Sequence, residues 1–386
     1  MEQELPFVVY RKPENTSSGT GMEIRALLQN DKRKYVIDDF SESGFVLAPF
    51  DSTRETILIP TEQSQFWYTH LISQFTECGH EGPRIAYPDS NPSQQKDIAT
   101  AKQDHIELVM RGLEALRTDA LDKVVLARSE TVALSKPPLK LFGEMAEIYP
   151  NAFVYCWYHP HIGMWLGASP ESLVHLQGPR FTTMALAGTQ AFNGQTVVEW
   201  GKKEQEEQQY VTDFILNNLR DLGLQPQIRP FHGAEKVTKA GTYTSRAGNL
   251  LHLRTDLEGD LNSAEDLKKI VMALHPTPAV GGVPKETART FILKEEPHDR
   301  EFYSGFLGEL NLVQERLRSR NRRNVENRAY KTVRKNSSLY VNLRCMKLEG
   351  GVAKVYVGGG ITVDSDPQAE WEETVNKAQT LKRVLL

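Results

Sequence analysis

Two segments of the chain each place two glutamates three residues apart. The segment "AEWEETVNK" contains Glu370 and Glu373, followed by Lys377, and "KKEQEEQQYV" contains Glu204 and Glu207. On a helix, this spacing puts both carboxylates of a pair on one face. Two such helices facing each other would offer the hard oxygen ligands that Mg²⁺ prefers. The alternative is a pair of solvated helix faces, because acidic residues suit a first helical turn and Glu373–Lys377 is a favourable i, i+4 pair.

Two further residues could act as an acid and a base. Lys123 begins the apolar run "KVVLAR", and Glu171 follows Pro170 in "LGASPESLV". A buried lysine beside other cations can lose its proton and act as a general base, although a lysine at a strand start is more often solvated. A buried glutamate can have a raised pKa and act as a general acid, although a carboxylate at a turn is the ordinary interpretation of Glu171.

Glycine turns and one histidine complete the candidates. The segments "MALAGT" and "VGGGIT" are glycine turns after apolar runs, which can hold carboxylates or phosphates through backbone N–H groups. His252 alternates with apolar residues in "NLLHLRTD", a pattern that also fits a core histidine. His159 and His161 lie near Cys156, but their spacing matches no standard zinc pattern. The chain has no dinucleotide fingerprint, no phosphate-binding P-loop and no nucleophile elbow.

Composition narrows the class of protein. The chain has 386 residues, 39% of them hydrophobic, and a formal net charge of −4, which favours a packed globular protein with no general attraction to nucleic acid or membranes. Its three cysteines are widely spaced, as expected in a reducing compartment. Neither a signal peptide nor an apolar run of the ~18 residues needed for a membrane helix is visible. We therefore expect a soluble, cytoplasmic protein.

The pattern of elements is mixed. Short strand-like runs fill the first ninety residues, a long amphipathic helix follows over 93–122, and strands and helices alternate up to a β-rich end that leads into a last helix from Pro367. The basic segment 314–335 contains nine Lys or Arg against two Glu and lies between two strand candidates. We predict a surface loop there, because like charges repel and few apolar side chains are present. RNA or anionic-surface binding is the weaker alternative.

Together these motifs resemble the chorismate-utilising enzymes, which include the isochorismate, salicylate, anthranilate and aminodeoxychorismate synthases. The resemblance is carried by "KVVLAR", "LGASPESLV", "MALAGT", "KKEQEEQQYV", "LLHLRTD", "HPTPAVGGVPKETA", "EFYSGFLGEL", "YVNLRCMKL" and "VGGGITVDSDPQAEWEETVNKAQTL". They occur in the family's order over 121–386, whereas 1–120 matches only in general. The resemblance implies one enzyme domain over 1–386 with the basic segment 314–335 as an insert.

The family implies an α+β fold in which two large, mainly antiparallel β-sheets pack as a sandwich, with helices outside and the active site in the cleft between the sheets. It also implies Mg²⁺ at the ring carboxylate of chorismate. Matched residue by residue, Glu207 and Glu373 correspond to the principal metal ligands. Glu204 and Glu370 correspond to neighbours that reach the metal through water. Lys123 corresponds to the base and Glu171 to the acid. The residues expected around the substrate are Gly188, His252, Ala279, Arg344, Gly358 and Lys377.

Within the family, the loop "HPTPAVGG" resembles the isochorismate-forming group, and Lys123 favours water over ammonia as the nucleophile. The implied reaction adds water at C2 of chorismate and removes the hydroxyl at C4, without a glutaminase subunit and in a monomer. Salicylate synthase, which tends to differ at Ala279, is the first alternative. The second is a non-catalytic relative that binds a partner. Menaquinone or catecholate siderophore synthesis would use the product.

Overall fold

The structure is a computed structural model that describes residues 4–13, 23–70, 98–192, 194, 198–229, 241–247, 250–263, 265–317 and 331–385. Two large sheets dominate it, and the strand pairings within both are antiparallel. The expected α+β sandwich is therefore confirmed. None of the helices in this part of the chain is both long enough and apolar enough to cross a membrane.

The first sheet has nine strands in the order β15-β7-β19-β18-β9-β8-β1-β2-β6. Its strands are β1 (Phe7–Arg11), β2 (Ile24–Gln29), β6 (Ser64–Thr69), β7 (Lys123–Ala133), β8 (Phe153–His159), β9 (Gly163–Ser169), β15 (Gly282–Val283), β18 (Cys345–Glu349) and β19 (Val352–Ile361).

The second sheet has ten strands in the order β12-β14-β11-β10-β17-β16-β4-β5-β3, with β13 paired to β14. Its strands are β3 (Tyr35–Val36), β4 (Gly44–Ala48), β5 (Ile57–Pro60), β10 (Ser172–Gln177), β11 (Arg180–Ala191), β12 (Gln227–Ile228), β13 (Tyr243–Ala247), β14 (Leu250–Asp260), β16 (Phe306–Leu317) and β17 (Lys331–Val341).

Helices cover the outer faces of the sheets. They are α1 (Ile98–Arg117), α2 (Pro138–Ile148), α3 (Lys202–Asp221), α4 (Asp266–Leu274), α5 (Lys285–Glu295) and α6 (Pro367–Leu385). On the first sheet, α1, α2 and α6 pack against β7, β8, β9 and β19, and α5 contacts β7 and β15. On the second sheet, α3 packs on β11 and β14, and α4 packs on β10.

Aromatic side chains fill the space between the sheets. Phe153 stacks on Tyr340 with ring centroids 4.2 Å apart, and Trp165 stacks on Tyr356 at 5.5 Å. The first pair joins the two sheets, and the second joins β9 and β19 across the intervening β18 of the first sheet. Large buried rings remove much apolar surface from water, so this layer holds the sheets together and gives the adjacent cleft rigid walls.

The chain passes between the sheets twice near the site. It leaves β9 of the first sheet and enters β10 of the second through Glu171, and it returns from β17 to β18 through Arg344. The two crossings are tied together, because Val341 N–H donates to the Glu171 carbonyl at 3.0 Å and Ala168 N–H donates to the Arg344 carbonyl at 3.0 Å. These bonds fix the backbone of Glu171 and Arg344 where the chain crosses between the two sheets.

The predicted loop over 314–335 was too long. Strand β16 continues to Leu317 and β17 begins at Lys331, and these two residues pair. β-branched and apolar residues such as Val313, Leu317, Thr332 and Val333 suit strands at both ends, which the charge count concealed. Residues 318–330 lie outside the described part of the chain, as do residues 93–97 of the helix expected from 93 to 122.

Candidate active site

A cavity opens between the two sheets beside the crossings. Its volume of 140 Å³ suits a small molecule, since cavities of about 150 Å³ admit a benzene-sized ring. Apolar side chains such as Val125, Leu186, Leu250 and Leu343 line it together with a set of charged groups. Ten of the twelve residues expected at the site lie on its wall: Glu171, Gly188, Glu204, Glu207, His252, Ala279, Arg344, Gly358, Glu373 and Lys377.

The other two lie one contact behind the wall. Lys123 is fully buried and its Nζ donates to Glu207 Oε1 at 2.7 Å. Glu370 is 2% exposed and its Oε1 accepts from Lys203, a residue of the cavity wall, at 3.2 Å. All twelve predicted residues are therefore gathered at one place.

The four acidic residues come from two helices that each follow a strand of the cavity wall. Helix α3 follows β11 and carries Glu204 and Glu207, and α6 follows β19 and carries Glu370 and Glu373. The three-residue spacing places each pair on one helix face, as the sequence predicted. Because the two strands belong to facing sheets, the two helix faces approach the same end of the cavity.

Lysines partner three of these carboxylates. Lys123 pairs with Glu207 at 2.7 Å, Lys377 with Glu373 at 2.6 Å and Lys203 with Glu370 at 3.2 Å. Burial alone would raise the pKa of Glu207, but the neighbouring lysines outweigh it and hold that pKa below its usual value. Glu207 is therefore ionised near neutral pH.

Glu370 shows the opposite shift. Burial and then the charge of Glu373 raise the pKa of its carboxyl, although the Ser365 hydroxyl donates to it at 2.6 Å and Lys203 is near. Its second oxygen, Oε2, is buried and has no hydrogen-bond partner. A buried carboxylate oxygen without a partner is costly, so this atom is suited to a water or a cation that the site can accept.

The donors at this end of the cavity fit a hard cation in their chemistry. They are carboxylate oxygens, and the backbone leaves space beside them: a Cβ on Gly359 would come 3.3 Å from Glu370 Oε2, and a Cβ on Gly360 would come 3.1 Å from Glu207 Oε1. Within the described residues, no three His, Cys, Asp or Glu side chains already converge on one point. A cation would therefore compete with the lysines for oxygens that now form ion pairs.

Glu171 is a buried acid facing the cavity. It is 2% exposed, and burial raises the pKa of its carboxyl to about 8, with Lys123 acting in the opposite direction. The backbone fixes it, because its N–H donates to Ser169 Oγ at 3.3 Å and its carbonyl accepts from Val341. At neutral pH the group is mainly protonated and can donate a proton.

His252 and Arg344 form a hydrogen-bonded pair on the cavity wall, in which His252 is buried and Arg344 is half-buried. Arg344 donates to His252 Nε2 at 3.1 Å, and His252 Nδ1 lies 3.0 Å from the Gly188 carbonyl, so Nδ1 carries the proton. Burial and the charge of Arg344 lower the pKa of His252 to about 3, which keeps it neutral. Burial lowers the pKa of Arg344 to about 10, so the guanidinium stays charged.

Three other expected residues shape the wall through the backbone. Gly188 lies in a bulge of β11 with φ of +66°, which favours glycine, and a Cβ there would come 3.1 Å from Glu204 Cβ. The Gly358 carbonyl accepts from Lys377 Nζ at 3.0 Å. Ala279 lies on the wall in the segment between α4 and β15.

Sequence reasoning missed Lys203 and Tyr303. Lys203 faces Glu370 from the first turn of α3, where a cation opposes the helix dipole, and that unfavourable placement was the available signal. Tyr303 is 4% exposed and lies on the wall, with its hydroxyl close to Gly358. It is stacked on Tyr356 in the interior, and nothing in its local sequence separates it from other core tyrosines.

Two family models, each described as chorismate binding enzyme, match this chain over residues 52–315 and 329–383. The chain belongs to the chorismate-binding enzyme family. The matched regions include every residue of the site described above, so the family recognised from the motifs is confirmed.

Similar curated proteins include isochorismate synthase MenF of Escherichia coli K12, which is 32% identical over 308 residues, covering 75% of this chain and 63% of MenF. Isochorismate synthase EntC of the same organism is 28% identical over 72% of this chain and 66% of EntC. The chain thus spans just under two thirds of the length of these relatives.

Solved structures show the same fold. The menaquinone-specific isochorismate synthase MenF from Escherichia coli superposes with a TM-score of 0.73 at 23% identity, covering 100% of this chain and 90% of MenF. Anthranilate synthase component I from Streptococcus pneumoniae superposes with a TM-score of 0.61 at 17% identity, covering 99% and 93%. Both comparisons support the two-sheet architecture.

Proposed function

We propose that the protein is a Mg²⁺-dependent isochorismate synthase, which adds water at C2 of chorismate and removes the hydroxyl at C4. The observation that carries this proposal is the cavity itself, where a protonated buried acid, Glu171, lies with a buried lysine, Lys123, two pairs of glutamates and the cation Arg344. A site that only bound a partner would have no use for a buried acid such as Glu171, whose pKa is raised to about 8, close to Lys123.

Chorismate carries two carboxylates, so its site must supply positive charge. Arg344 is half-buried and charged on the cavity wall, and Lys377 and Lys203 lie at the acidic end. A guanidinium can bind a carboxylate through two parallel N–H donors. The apolar side chains between these ends would contact the ring. This distribution orients a small dianion with one carboxylate at Arg344 and the other at the acidic end.

Glu207 and Glu373 would hold Mg²⁺ directly, and Glu204 and Glu370 through water. When bound, the ion would offset the charge of the glutamates and of the substrate's ring carboxylate. The chain's own residues would then perform the proton transfers. Glu171 would donate its proton to the departing C4 hydroxyl, and Lys123 would accept one from the attacking water.

Lys123 must be neutral to act as a base. Its Nζ now donates to Glu207 Oε1 at 2.7 Å. Within the proposal, Glu207 therefore contacts both the ion and the base, which brings the two functions of the acidic end together.

We further propose that the enzyme acts as a cytoplasmic monomer without a glutaminase subunit. Menaquinone synthesis is the favoured use of its product, because the similar MenF of Escherichia coli is menaquinone-specific; catecholate siderophore synthesis is the alternative.

Product analysis tests the activity. Purified protein would be incubated with chorismate and either Mg²⁺ or EDTA, beside Lys123→Ala, and the products separated by liquid chromatography. Isochorismate formed only with Mg²⁺ and only by the unaltered protein is expected. Salicylate with pyruvate would reassign the protein to salicylate synthesis, and unchanged chorismate under all conditions would contradict an enzymatic role.

A further inference from the structure

Strand β7, which begins with Lys123, has an unusual edge. On one side it pairs with β19 along most of its length, but on the other side β15 pairs only with Lys123 and Val124. The Gly281 carbonyl extends that ladder by one step, accepting from Val125 N–H at 2.8 Å. Beyond this point, backbone groups of β7 that point away from β19 need partners from elsewhere.

Two side chains supply those partners. Ala127 N–H donates to Glu296 Oε1 at 2.8 Å, and Arg300 Nη2 donates to the Val125 carbonyl at 2.7 Å. Glu296 and Arg300 are also joined to each other by two hydrogen bonds of 2.8 Å and 2.5 Å. Glu296 therefore supplies an acceptor and Arg300 a donor to backbone groups of β7 that a neighbouring strand would otherwise bind. The ion pair replaces the backbone of that strand at this edge of the sheet.

Arg300 also holds the adjacent wall of the cavity. Its Nη1 donates to the Val280 carbonyl at 2.9 Å and to Ser304 Oγ at 3.0 Å, and its guanidinium lies over the Phe50 ring at 4.4 Å. Val125 and Val280 both line the cavity. A single guanidinium thus binds the carbonyls of two wall segments that approach from different parts of the chain.

We propose that Glu296 and Arg300 are a positioning pair for the reaction, fixing β7 and the segment around Val280 so that Lys123 and the substrate ring meet in the reactive geometry. This inference rests on the proposed function. Lys123 and Val125 are two residues apart on β7 and so lie on the same face of the strand. The position of the Lys123 amino group relative to the cavity therefore depends on the position of β7. The pair touches neither substrate nor reacting atoms.

The energetics suit a positioning role. The two side chains are only 3% and 2% exposed, and a buried ion pair gives little net stability compared with well-packed apolar residues. Its particular property is directionality, because five hydrogen bonds from one guanidinium leave few alternative arrangements. A shift of about 1 Å at a reacting group can cost about a hundredfold in rate.

The test compares Glu296→Gln and Arg300→Lys with a control pair in the same interior. Glu309 is fully buried and binds Tyr10 at 2.8 Å and Arg25 at 2.7 Å, but none of these three is among the described residues that line the cavity. Glu309→Gln therefore removes a buried charge without touching β7. For each protein, kcat, KM, the thermal midpoint, and the stoichiometry and Kd of chorismate binding would be measured.

We expect both variants at the positioning pair to lose about tenfold to a hundredfold in kcat/KM, with KM raised and with the binding stoichiometry near that of the unaltered protein. Glu309→Gln should lower the thermal midpoint by at least as much as Glu296→Gln or Arg300→Lys does. It should nevertheless leave KM within about twofold of the unaltered protein. A merely structural role predicts instead a fall in kcat that follows the folded fraction, with KM unchanged.

Catalysis unchanged in Glu296→Gln and Arg300→Lys would overturn the inference, as would failure of both to fold while Glu309→Gln folds, since the pair would then serve the whole molecule. An unaltered protein that turns over no chorismate would contradict the proposed function instead, and the chorismate Kd of the variants would then decide the positioning role.

Discussion

At the scale of single residues, Glu171 sets the expected pH dependence. Burial raises the pKa of its carboxyl to about 8, and the group can act as an acid only while protonated. Activity should therefore be retained below this pH and fall by about tenfold per unit above it. A pH profile of kcat/KM measures the alkaline limb directly.

Replacement of the same residue provides the control for that profile. Glu171→Gln keeps the shape of the side chain but removes the transferable proton, so kcat should fall by about 10²- to 10⁴-fold while KM changes little. The residual activity should show no alkaline limb near pH 8. A limb that persists in this variant would assign the titration to another group.

Arg344 should govern affinity more than turnover. Arg344→Met would leave a substrate carboxylate without its guanidinium partner, at a cost of about 2 kcal/mol or more, which corresponds to about a 30-fold rise in KM. Arg344→Lys keeps the charge but loses the fork of donors, so its KM should lie between those of the Met variant and the unaltered protein. Equal KM values in all three would refute this assignment. Steady-state kinetics with chorismate would give them.

The two glutamate pairs were readable from their local spacing, whereas Arg344, Ala279 and Gly358 were expected only from the family resemblance. Glu204 and Glu207, or Glu370 and Glu373, reveal their shared face by spacing alone. The proton position on His252 was not readable, because it depends on Arg344 and Gly188, which lie far away in the chain. Lys203 was overlooked for a similar reason, since its partner is on another helix.

At the scale of elements, the bulge in β11 should fix the start of α3. Gly188→Ala would introduce a side chain at φ of +66° and a contact of 3.1 Å with Glu204, so we expect a loss of about 1–2 kcal/mol in unfolding free energy and a raised Mg²⁺ requirement. Thermal unfolding and a Mg²⁺ titration of activity would measure the two effects.

The matched control is Gly178→Ala. Gly178 has φ of +62° but no heavy atom within 4 Å of an added Cβ, so it carries the same backbone strain without the contact. Its unfolding should be affected similarly and its Mg²⁺ requirement should not change. If both variants raised the requirement equally, the bulge would have no specific effect on α3.

Helices and individual strands were predictable at this scale, but their arrangement was not. The periodic patterns indicated α1, α3 and α6, and alternation indicated β14. The strand order β15-β7-β19-β18-β9-β8-β1-β2-β6 joins segments from both ends of the chain, and local periodicity contains no information about such pairings. The family resemblance supplied the sandwich that the pattern alone left open.

At the scale of the whole molecule, none of the described residues that line the cavity belongs to β16 or β17, the two strands that flank residues 318–330. Leu317 pairs with Lys331, so residues 318–330 can be replaced by a two-residue Asn-Gly hairpin turn without breaking the ladder. We expect kcat and KM to stay within about threefold, because the cavity is lined by described residues outside this hairpin and surface loops tolerate shortening. Complete loss of activity in a folded deletion variant would show that the segment takes part in the reaction.

The central claim is that this cavity adds water to chorismate at C2 as the C4 hydroxyl leaves. The most direct measurement is mass spectrometry of the product formed from chorismate and Mg²⁺ in water labelled with heavy oxygen. The expected product is isochorismate that carries one heavy oxygen, at C2, and Lys123→Ala should form no such product. Isochorismate without the heavy oxygen would contradict water addition. Failure of the protein to convert chorismate at all would contradict the proposed activity.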